Sequence, residues 1–506
     1  MVNKNVLKLS NKVLIFVSVL GALMVIGGAY LGFKVVPDII VNKIWETKIL
    51  KENTEQWEAF MKTPFPYSFK VFVFDVQNPD DVLQGAKPRV KEVGPFVYKV
   101  TKWKDDVQWT SPDEISYHSY TKFEFDEASS GEYTENTEVT ILNSPLYGIL
   151  LKVEATKPEV FGLVEQAVPV AFAGHSQLFI KVKVGDLLFK GIKFCENAGK
   201  NGGFATSIFC RNVMQKANES QSLRLENDAI LFSNLHYKNN THLGRFTVKS
   251  GGKDPKESAT LTLYNGKPFL STWPGENSSC NRIRGFTTVF PANIKTDMVF
   301  ESFSEDICRH VALEYDSKDA VKEIAGYKFV AKNDTFSSKT NKENSCFCSN
   351  RTKTFTTAEG CPEDGIIDLT PCKGGPVMVS FPHLLYADEG YARSVEGLRP
   401  VKSRHEPFVI LEPLSGLPLY GSQRIQFNMF LRPIEGMENP WNVSRSLLPL
   451  IWVEESFVIP DQFIEKLNDN LFSKLNMINI VKWIVIVSGG AGLLLAGLTL
   501  VYRQAP

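Results

Sequence analysis

Eight cysteines are the residues of this chain whose type and grouping most clearly indicate chemistry. An even number in one region is typical of a disulfide framework formed in an oxidising compartment. A zinc site is the alternative, but the sequence has no paired C-x₂-C spacing and its seven histidines are scattered. The residues therefore favour disulfides among Cys195, Cys210, Cys280, Cys308, Cys346, Cys348, Cys361 and Cys372.

Six N-x-S/T triplets lie in the same part of the chain as the cysteines. Any single triplet arises easily by chance, but together they agree with exposure to a secretory compartment. We expect most of them to carry glycans, although a packed Trp441 would limit access to the last one. The acceptor residues are Asn218, Asn239, Asn277, Asn333, Asn350 and Asn442.

Catalytic signatures are missing from the sequence. It contains no G-x-S-x-G, no H-E-x-x-H, no P-loop and no EF-hand loop. His405-Glu406 begins like a zinc motif, but Val409 occupies the position of the second histidine. We therefore expect no enzyme, no metal and no cofactor. Charge is balanced, with 56 basic and 56 acidic residues, which gives no reason to expect a nucleic-acid partner.

Two uncharged apolar runs, 13–33 and 483–502, are long enough to cross a membrane. At about 1.5 Å per residue each forms a helix of roughly 30 Å, which matches a bilayer core. A cleaved signal peptide is the alternative for the first run, but such peptides have apolar stretches of only about 7–15 residues. A buried core helix is the alternative for the second run, which is apolar on every face. The sequence predicts two spans.

The basic residues beside these runs predict the orientation of the chain in the plasma membrane. Lys4, Lys8 and Lys12 precede the first run and Arg503 follows the second. Because lysine and arginine near span ends favour the cytoplasmic side, both tails are expected inside the cell. The predicted order is a cytoplasmic tail, a span, an extracellular domain, a span and a second cytoplasmic tail, at 1–12, 13–33, 34–482, 483–502 and 503–506.

Between the spans, alternating apolar patterns predict a strand-rich domain without repeats or linkers. Residues 41–61 have the pattern of one or two amphipathic helices. Strand patterns follow at several places, bounded by turn residues such as Asn78-Pro79 and Asn265-Gly266. The predicted strands are 69–76, 114–125, 245–248, 259–263 and 424–431.

One stretch, 160–180, interrupts the strand pattern with a nearly continuous apolar run. Thr156 and Glu159 have the spacing of a capping box, which predicts a helix beginning there. Pro169 is expected to kink or end that helix. Two interpretations stay open: a buried helical hairpin, or an exposed apolar platform for a greasy ligand.

Several motifs together resemble the class B scavenger receptor family, which includes fatty-acid translocase and the lysosomal integral membrane proteins. The resemblance rests on 69–98 with its G-P-F-V-Y motif, and on SCFCSN, PVMVSFPHLLYADEGY, LEPLSGLPL and RIQFNMFL in the second half. HSQLFIKVKVGDLLFKG and FDEASSGEYTENTEVTILN are most similar to arthropod sensory neuron membrane proteins. One departure follows Cys280-Asn281, where Gly285-Phe286-Thr287-Thr288 replaces a G-[ST]-[DE]-G segment.

The resemblance implies an α+β fold. It has a large antiparallel, β-barrel-like ectodomain with an apical helical bundle, an internal apolar tunnel and an anchor at each end. The family also implies that Cys280 pairs with Cys346, Cys308 with Cys372, and Cys348 with Cys361. Cys195 and Cys210 are outside that pattern, and their spacing predicts a fourth bond.

The implied function is a lipid-binding and transfer co-receptor for long-chain odorants or pheromones. Its expected partners are a long-chain lipid ligand, an olfactory receptor complex in the same bilayer and an odorant-binding protein. A scavenger receptor for lipoprotein, fatty acid or apoptotic cells is the nearest alternative. A two-span ligand-gated channel subunit is disfavoured because the spans carry few polar residues. An ecto-hydrolase is disfavoured by the missing motifs.

The ligand is expected to enter at the membrane-distal end, along the apolar run. Phe161, Phe172 and Phe179 are candidates for its first contacts, and Lys152 or His175 for a polar head. Core packing is the alternative for each of these residues. In the spans, Gly28 with Gly32 and Ser488 with Gly492 are small-residue pairs that permit close helix packing, although glycine is common in spans.

Overall fold

A computed structural model describes residues 10–287, 289–348, 361–438 and 440–504. Its strands are β1 Tyr67–Val76, β2 Val90–Ser111, β3 Glu114–Phe125, β4 Glu138–Leu142, β5 Phe179–Lys183, β6 Ile192–Phe194, β7 Leu223–Glu226, β8 Ala229–Phe232, β9 Arg245–Lys249, β10 Leu261–Tyr264, β11 Phe300–Ser304, β12 Arg309–Val321, β13 Ile324–Ala331, β14 Ile367–Asp368, β15 Met378–Ser380, β16 Phe408–Leu411, β17 Pro418–Leu431 and β18 Ser446–Val458. Its α-helices are α1 Asn11–Tyr30, α2 Val36–Thr47, α3 Glu55–Met61, α4 Pro79–Leu83, α5 Glu127–Ser130, α6 Ser144–Thr156, α7 Phe161–Ala171, α8 Ala198–Asn201, α9 Phe204–Lys216, α10 Thr370–Lys373, α11 Glu389–Arg393, α12 Lys402–His405, α13 Asp461–Leu467 and α14 Ser473–Gln504.

One large antiparallel sheet forms the body of the domain. Its strands follow the order β10-β9-β3-β2-β1-β18-β17-β16-β13-β12-β11, and β15 adds to β17. Small sheets β4-β5 and β6-β8-β7 lie outside this path. The patterns at 114–125, 69–76 and 424–431 fall within β3, β1 and β17, because these stretches are rich in the aromatic and β-branched residues that favour strands.

A short segment between β10 and β11 links the two ends of the sheet into a nearly closed barrel. The backbone N–H of Leu261 donates to the carbonyl of Gly285, and the N–H of Phe286 donates to the carbonyl of Glu301, both at 2.8 Å. Gly285 has φ +113°, and an added Cβ would lie 2.4 Å from the Glu301 oxygen. Glycine is therefore required at position 285, where these two hydrogen bonds join the ends of the sheet; we call this place the seam.

The helical layer lies at the barrel end opposite the two long terminal helices. Strand β18 runs from Ser446 to Val458 and leads directly into α13 and α14. At about 3.3 Å per residue, its two ends are roughly 40 Å apart. Helix α6 contacts the far end, where the Tyr147 hydroxyl donates to the Arg432 carbonyl just after β17. The apical helical bundle expected from the family resemblance is thus confirmed.

The predicted capping box at Thr156 is wrong. Thr156 is the last residue of α6, a helix that the sequence patterns did not predict, and its hydroxyl donates to the Lys152 carbonyl at 2.7 Å. The next helix, α7, begins at Phe161 and ends two residues after Pro169. Because β5 starts at Phe179, the run 160–180 forms one helix and the start of a strand rather than a helical hairpin.

Each apolar run lies in a long helix of sufficient length and hydropathy to span a membrane, Asn11–Thr47 and Asp461–Arg503. The backbones of the two helices come close together at Gly21, where an added Cβ would lie 2.8 Å from the Gly489 oxygen. Gly28 and Gly32 also face the partner helix, at Val485 and Lys482. Small residues therefore permit close packing between the spans.

Candidate functional site

The barrel interior is lined by the apolar and aromatic residues of alternate strand positions. Phe69 of β1 reaches across β2 to Phe123 of β3, with ring centroids 5.0 Å apart. Tyr98 of β2 packs on Phe189 at the same distance. On the opposite face of the wall, Phe72 stacks on Trp452 at 4.0 Å. The interior face is therefore apolar along much of its length.

A small cavity lies in the apolar region near the distal end of the barrel wall. Its volume is about 10 Å³, the space of about one water, and it is bounded by Phe74, Ile141, Leu187 and Leu448 among others. A lipid chain passing this point requires these side chains to move.

The three phenylalanines proposed as first ligand contacts are all buried. Phe161 is 2% exposed, Phe172 1% and Phe179 6%. Phe172 stacks on Phe194 with centroids 4.6 Å apart. In this structure the three rings are part of the hydrophobic core beneath the apical helices. This agrees with the alternative that these residues pack the core.

The two polar candidates lie closer to solvent than the phenylalanines. Lys152 is exposed on α6 and forms an ion pair with Glu219 at 3.0 Å. His175 is half-buried in the turn after α7, where its carbonyl accepts from the Asn143 side chain at 2.6 Å. Unlike the three buried phenylalanines, Phe204 at the start of α9 is 78% exposed. Sequence reasoning missed this residue because it lies outside the long apolar run.

A buried ion pair fastens the apical layer to the barrel. Both terminal nitrogens of Arg432 donate to the carboxylate of Glu154 on α6, and the two side chains are 12% and 6% exposed. Burial alone would lower the pKa of Arg432, but the Glu154 carboxylate outweighs it and raises that pKa. Burial also raises the pKa of the neighbouring Tyr147 to about 12.

Charged residues interrupt the apolar interior of the barrel. Lys102 of β2 pairs with Glu455 of β18, and Lys238 pairs with Asp306 at 2.5 Å. Burial would raise the pKa of Asp306, but the ammonium groups of Lys238 and Lys373 outweigh it and lower that pKa. The adjacent Glu305 has a raised pKa because it is buried beside Asp306. The interior therefore contains polar groups as well as aromatic ones.

Glu92, His383 and His405 form a buried group that the scattered histidines of the sequence do not reveal. One donor atom of each lies within 4.8 Å of the others, and His383 Nε2 is 2.6 Å from the Glu92 carboxylate. Each imidazole accepts a backbone N–H at Nδ1, from Arg399 and Val401 respectively, at 3.0 Å. A neutral ring that accepts at Nδ1 carries its proton at Nε2, where a metal needs a lone pair. The contacts of His383 therefore fit hydrogen bonding rather than a metal centre, whereas the buried Nε2 of His405 has no hydrogen-bond partner among the described residues.

Four disulfides cross-link the domain, and their pairs are those of the sequence expectation. Cys195–Cys210 joins the end of β6 to α9 across 15 residues. Two others tie the segment between β10 and β12 to the segment between β13 and β15, across 66 and 64 residues, and the last closes a loop of 13 residues within that second segment. They are Cys280–Cys346, Cys308–Cys372 and Cys348–Cys361.

The acceptor asparagines differ in their surroundings. Asn239 is half-buried, and its side-chain oxygen accepts from the backbone N–H of Phe123 at 3.1 Å. Asn350 lies outside the described residues. The side chains of the remaining four are exposed: Asn218, Asn277, Asn333 and Asn442.

Comparison with known proteins identifies this architecture. The description "CD36 family" belongs to a family model that matches residues 19–500. The chain belongs to the CD36 family. It is 30% identical to Sensory neuron membrane protein 2 of Anopheles gambiae, over 94% of this chain and 90% of that protein.

Two further relatives cover nearly the whole CD36-family chain. Sensory neuron membrane protein 1 of Pediculus humanus subsp. corporis is 31% identical over 96% of this chain and 91% of that protein. Sensory neuron membrane protein 1 of Apis mellifera is 31% identical over 92% of this chain and 88% of that protein. The resemblance seen in the motifs is therefore confirmed, and this CD36-family chain is a two-span membrane receptor of the plasma membrane.

Proposed function

We propose that this CD36-family protein binds long-chain lipid odorants or pheromones and transfers them through its ectodomain to a neighbouring olfactory receptor. The observation that carries the proposal is the apolar, aromatic interior between the apical helices and the two spans. The printed names of its relatives, sensory neuron membrane proteins, support the sensory role.

Transfer through an apolar interior has a clear energetic benefit. Keeping an alkyl chain in water costs about 0.8 kcal/mol per methylene, so roughly 14 to 18 carbons cost on the order of 11–14 kcal/mol. An interior lined by Phe69, Phe123 and Phe189 offers the chain an apolar surface along part of its passage. Such a protein needs no catalytic group, and we propose that it is not an enzyme.

The proposed entrance lies in the apical layer and has to open. Phe161, Phe172 and Phe179 become ligand contacts only when the helices over them separate, because all three rings are buried. Lys152 is accessible, and its exposed partner Glu219 gives the pair little stability. Lys152 or the half-buried His175 can therefore turn to meet a polar head group at modest cost.

The compartment assignments belong to the same proposal. Both tails are cytoplasmic, residues 34–482 are extracellular, and the receptor partner and an odorant-binding protein meet the chain in or above the same membrane. Four exposed acceptor asparagines support glycosylation of the ectodomain. If glycosidase treatment left the apparent mass unchanged after secretory expression, this topology would have to be abandoned.

Co-expression tests the function. Cells carrying an olfactory receptor for a long-chain acetate, aldehyde or alcohol are compared with and without this chain. We expect a stronger or faster response to the long-chain ligand, and an unaltered response of a receptor for a short, water-soluble odorant. Equal long-chain responses in both cell lines would refute the transfer role. Uptake of labelled lipoprotein without any receptor effect would instead indicate the scavenger alternative.

A further inference from the structure

Four aromatic side chains meet at the end of the barrel that faces the two spans. The Phe65 ring lies 5.9 Å from Tyr67, 6.2 Å from Phe457 and 5.5 Å from Phe463, measured between centroids. Tyr67 and Phe457 are 5.1 Å apart. All four side chains are half-buried. We refer to these four residues as the mouth cluster.

Strand register places two members of the mouth cluster on the interior face of the wall. Phe69, which faces the interior, pairs with Glu455, and Ser68 pairs with Ser456. One residue further along the two strands, Tyr67 lies opposite Phe457. Because side chains alternate between the faces of a sheet, both share the interior face with Phe69 and Glu455. The Lys102 ammonium, which pairs with Glu455, lies 5.7 Å from the Tyr67 ring. The aromatic rings of Tyr67 and Phe457 thus lie next to the charged pair Lys102–Glu455, on the side that faces the membrane.

The other two members of the mouth cluster do not belong to the barrel wall. Phe65 lies in the connection between α3 and β1, and Phe463 lies on α13. Helix α13 continues through Asn468–Phe472 into α14, which contains the second span. The position of the Phe463 ring therefore depends on the helix that enters the membrane.

We propose that the mouth cluster is the gate through which a single-chain lipid leaves the barrel interior for the bilayer, with Phe463 as its movable side. The proposal rests on the transfer function proposed above. When an alkyl chain passes, contacts between the aromatic rings are replaced by contacts between the rings and the methylene groups of the chain. A single chain therefore passes with little loss of contact energy. A lipid with two chains requires a wider opening. The gate therefore favours single-chain ligands.

The size of the effect follows from the contacts that must separate. One aromatic pair contributes a factor of about 2–10 to an equilibrium. The Phe65–Phe463 contact joins the fixed and movable sides, so its removal should raise the open population by about fivefold. Lipid held deeper in the interior does not touch this contact. Transfer should therefore change while binding stays the same.

The experiment uses the full-length chain reconstituted in phosphatidylcholine vesicles, with pyrene-labelled hexadecanol as the probe. Binding to the protein and the rate of probe arrival in the bilayer are measured separately. Phe463→Ala and Phe65→Ala should each bind the probe normally and transfer it about fivefold faster. Phe408→Ala is the matched control. Phe408 is also half-buried and contacts Tyr420 at 4.8 Å, but it alternates with the interior-facing Val409 and lies on the outer face.

The outcomes separate the gate from the transfer function itself. If the wild-type chain binds and transfers the probe but both alanine variants match Phe408→Ala, the gate is overturned and the transfer function stands. If the wild-type chain binds no probe, both proposals fail. Should Phe463→Ala not reach the membrane, Phe463→Leu and Phe65→Ala decide, because each also removes the ring contact between Phe65 and Phe463. Faster transfer by Phe65→Ala supports the gate.

Discussion

Removing the carboxylate of Glu154 should detach the apical helices from the barrel. In the wild type, Arg432 donates two hydrogen bonds to Glu154, and the backbone N–H of Glu435 donates a further one at 2.7 Å. Glu154→Ala leaves the buried Arg432 guanidinium without its counter-charge. Breaking a buried pair in this way costs about 3–5 kcal/mol. Net stabilities of domains are about 5–15 kcal/mol, so the loss should be visible as reduced surface display.

The double variant Glu154→Met with Arg432→Met provides the control. It removes both charges together and replaces them by flexible apolar side chains, so no charge is left buried. We expect its surface display and melting temperature to lie closer to wild type than those of Glu154→Ala. The assay is thermal unfolding of the full-length chain in detergent, together with antibody labelling of intact cells. A Glu154→Ala protein with the wild-type melting temperature, or a double variant that melts below Glu154→Ala, would refute the reasoning.

Three further predictions concern the seam, a disulfide and a buried histidine. Gly285→Ala should abolish surface display, because its Cβ would meet the Glu301 carbonyl oxygen at 2.4 Å in a left-handed backbone conformation; normal display would show that the seam is not needed. Serine at both Cys195 and Cys210 should lower stability by about 2–4 kcal/mol in thermal unfolding, and an unaltered transition would mean that this loop gains nothing from the bond. Burial lowers the pKa of His405 to about 3, so this ring is neutral when folded and takes a proton more readily when unfolded. Stability from this group is complete above about pH 6.5 and falls by up to about 1.4 kcal/mol per pH unit below it. His405→Gln should show a weaker acid dependence between about pH 6.5 and 4.5, and an identical dependence in both proteins would contradict the assignment.

Local patterns in the sequence were sufficient for the spans and several strands. Two uninterrupted apolar runs are stable only where their side chains are removed from water, in a bilayer or a protein core. Their helices are present as predicted. The alternating pattern at 114–125 coincides with β3, because successive side chains of a strand point to opposite faces of the sheet. The motifs identified the family, and the family resemblance, rather than spacing, supplied three disulfide pairs.

Only the tertiary structure decided which candidate residues meet. Glu92 and His383 lie 2.6 Å apart although 291 positions separate them, and no local pattern encodes such a contact. The burial of Phe172 depends likewise on β6 and α9, whose rings Phe194 and Phe209 pack against it, and the apolar sequence around Phe172 would be the same if it were exposed. These arrangements follow from sheet register and helix packing, which fix distant side chains against each other only after the chain has folded.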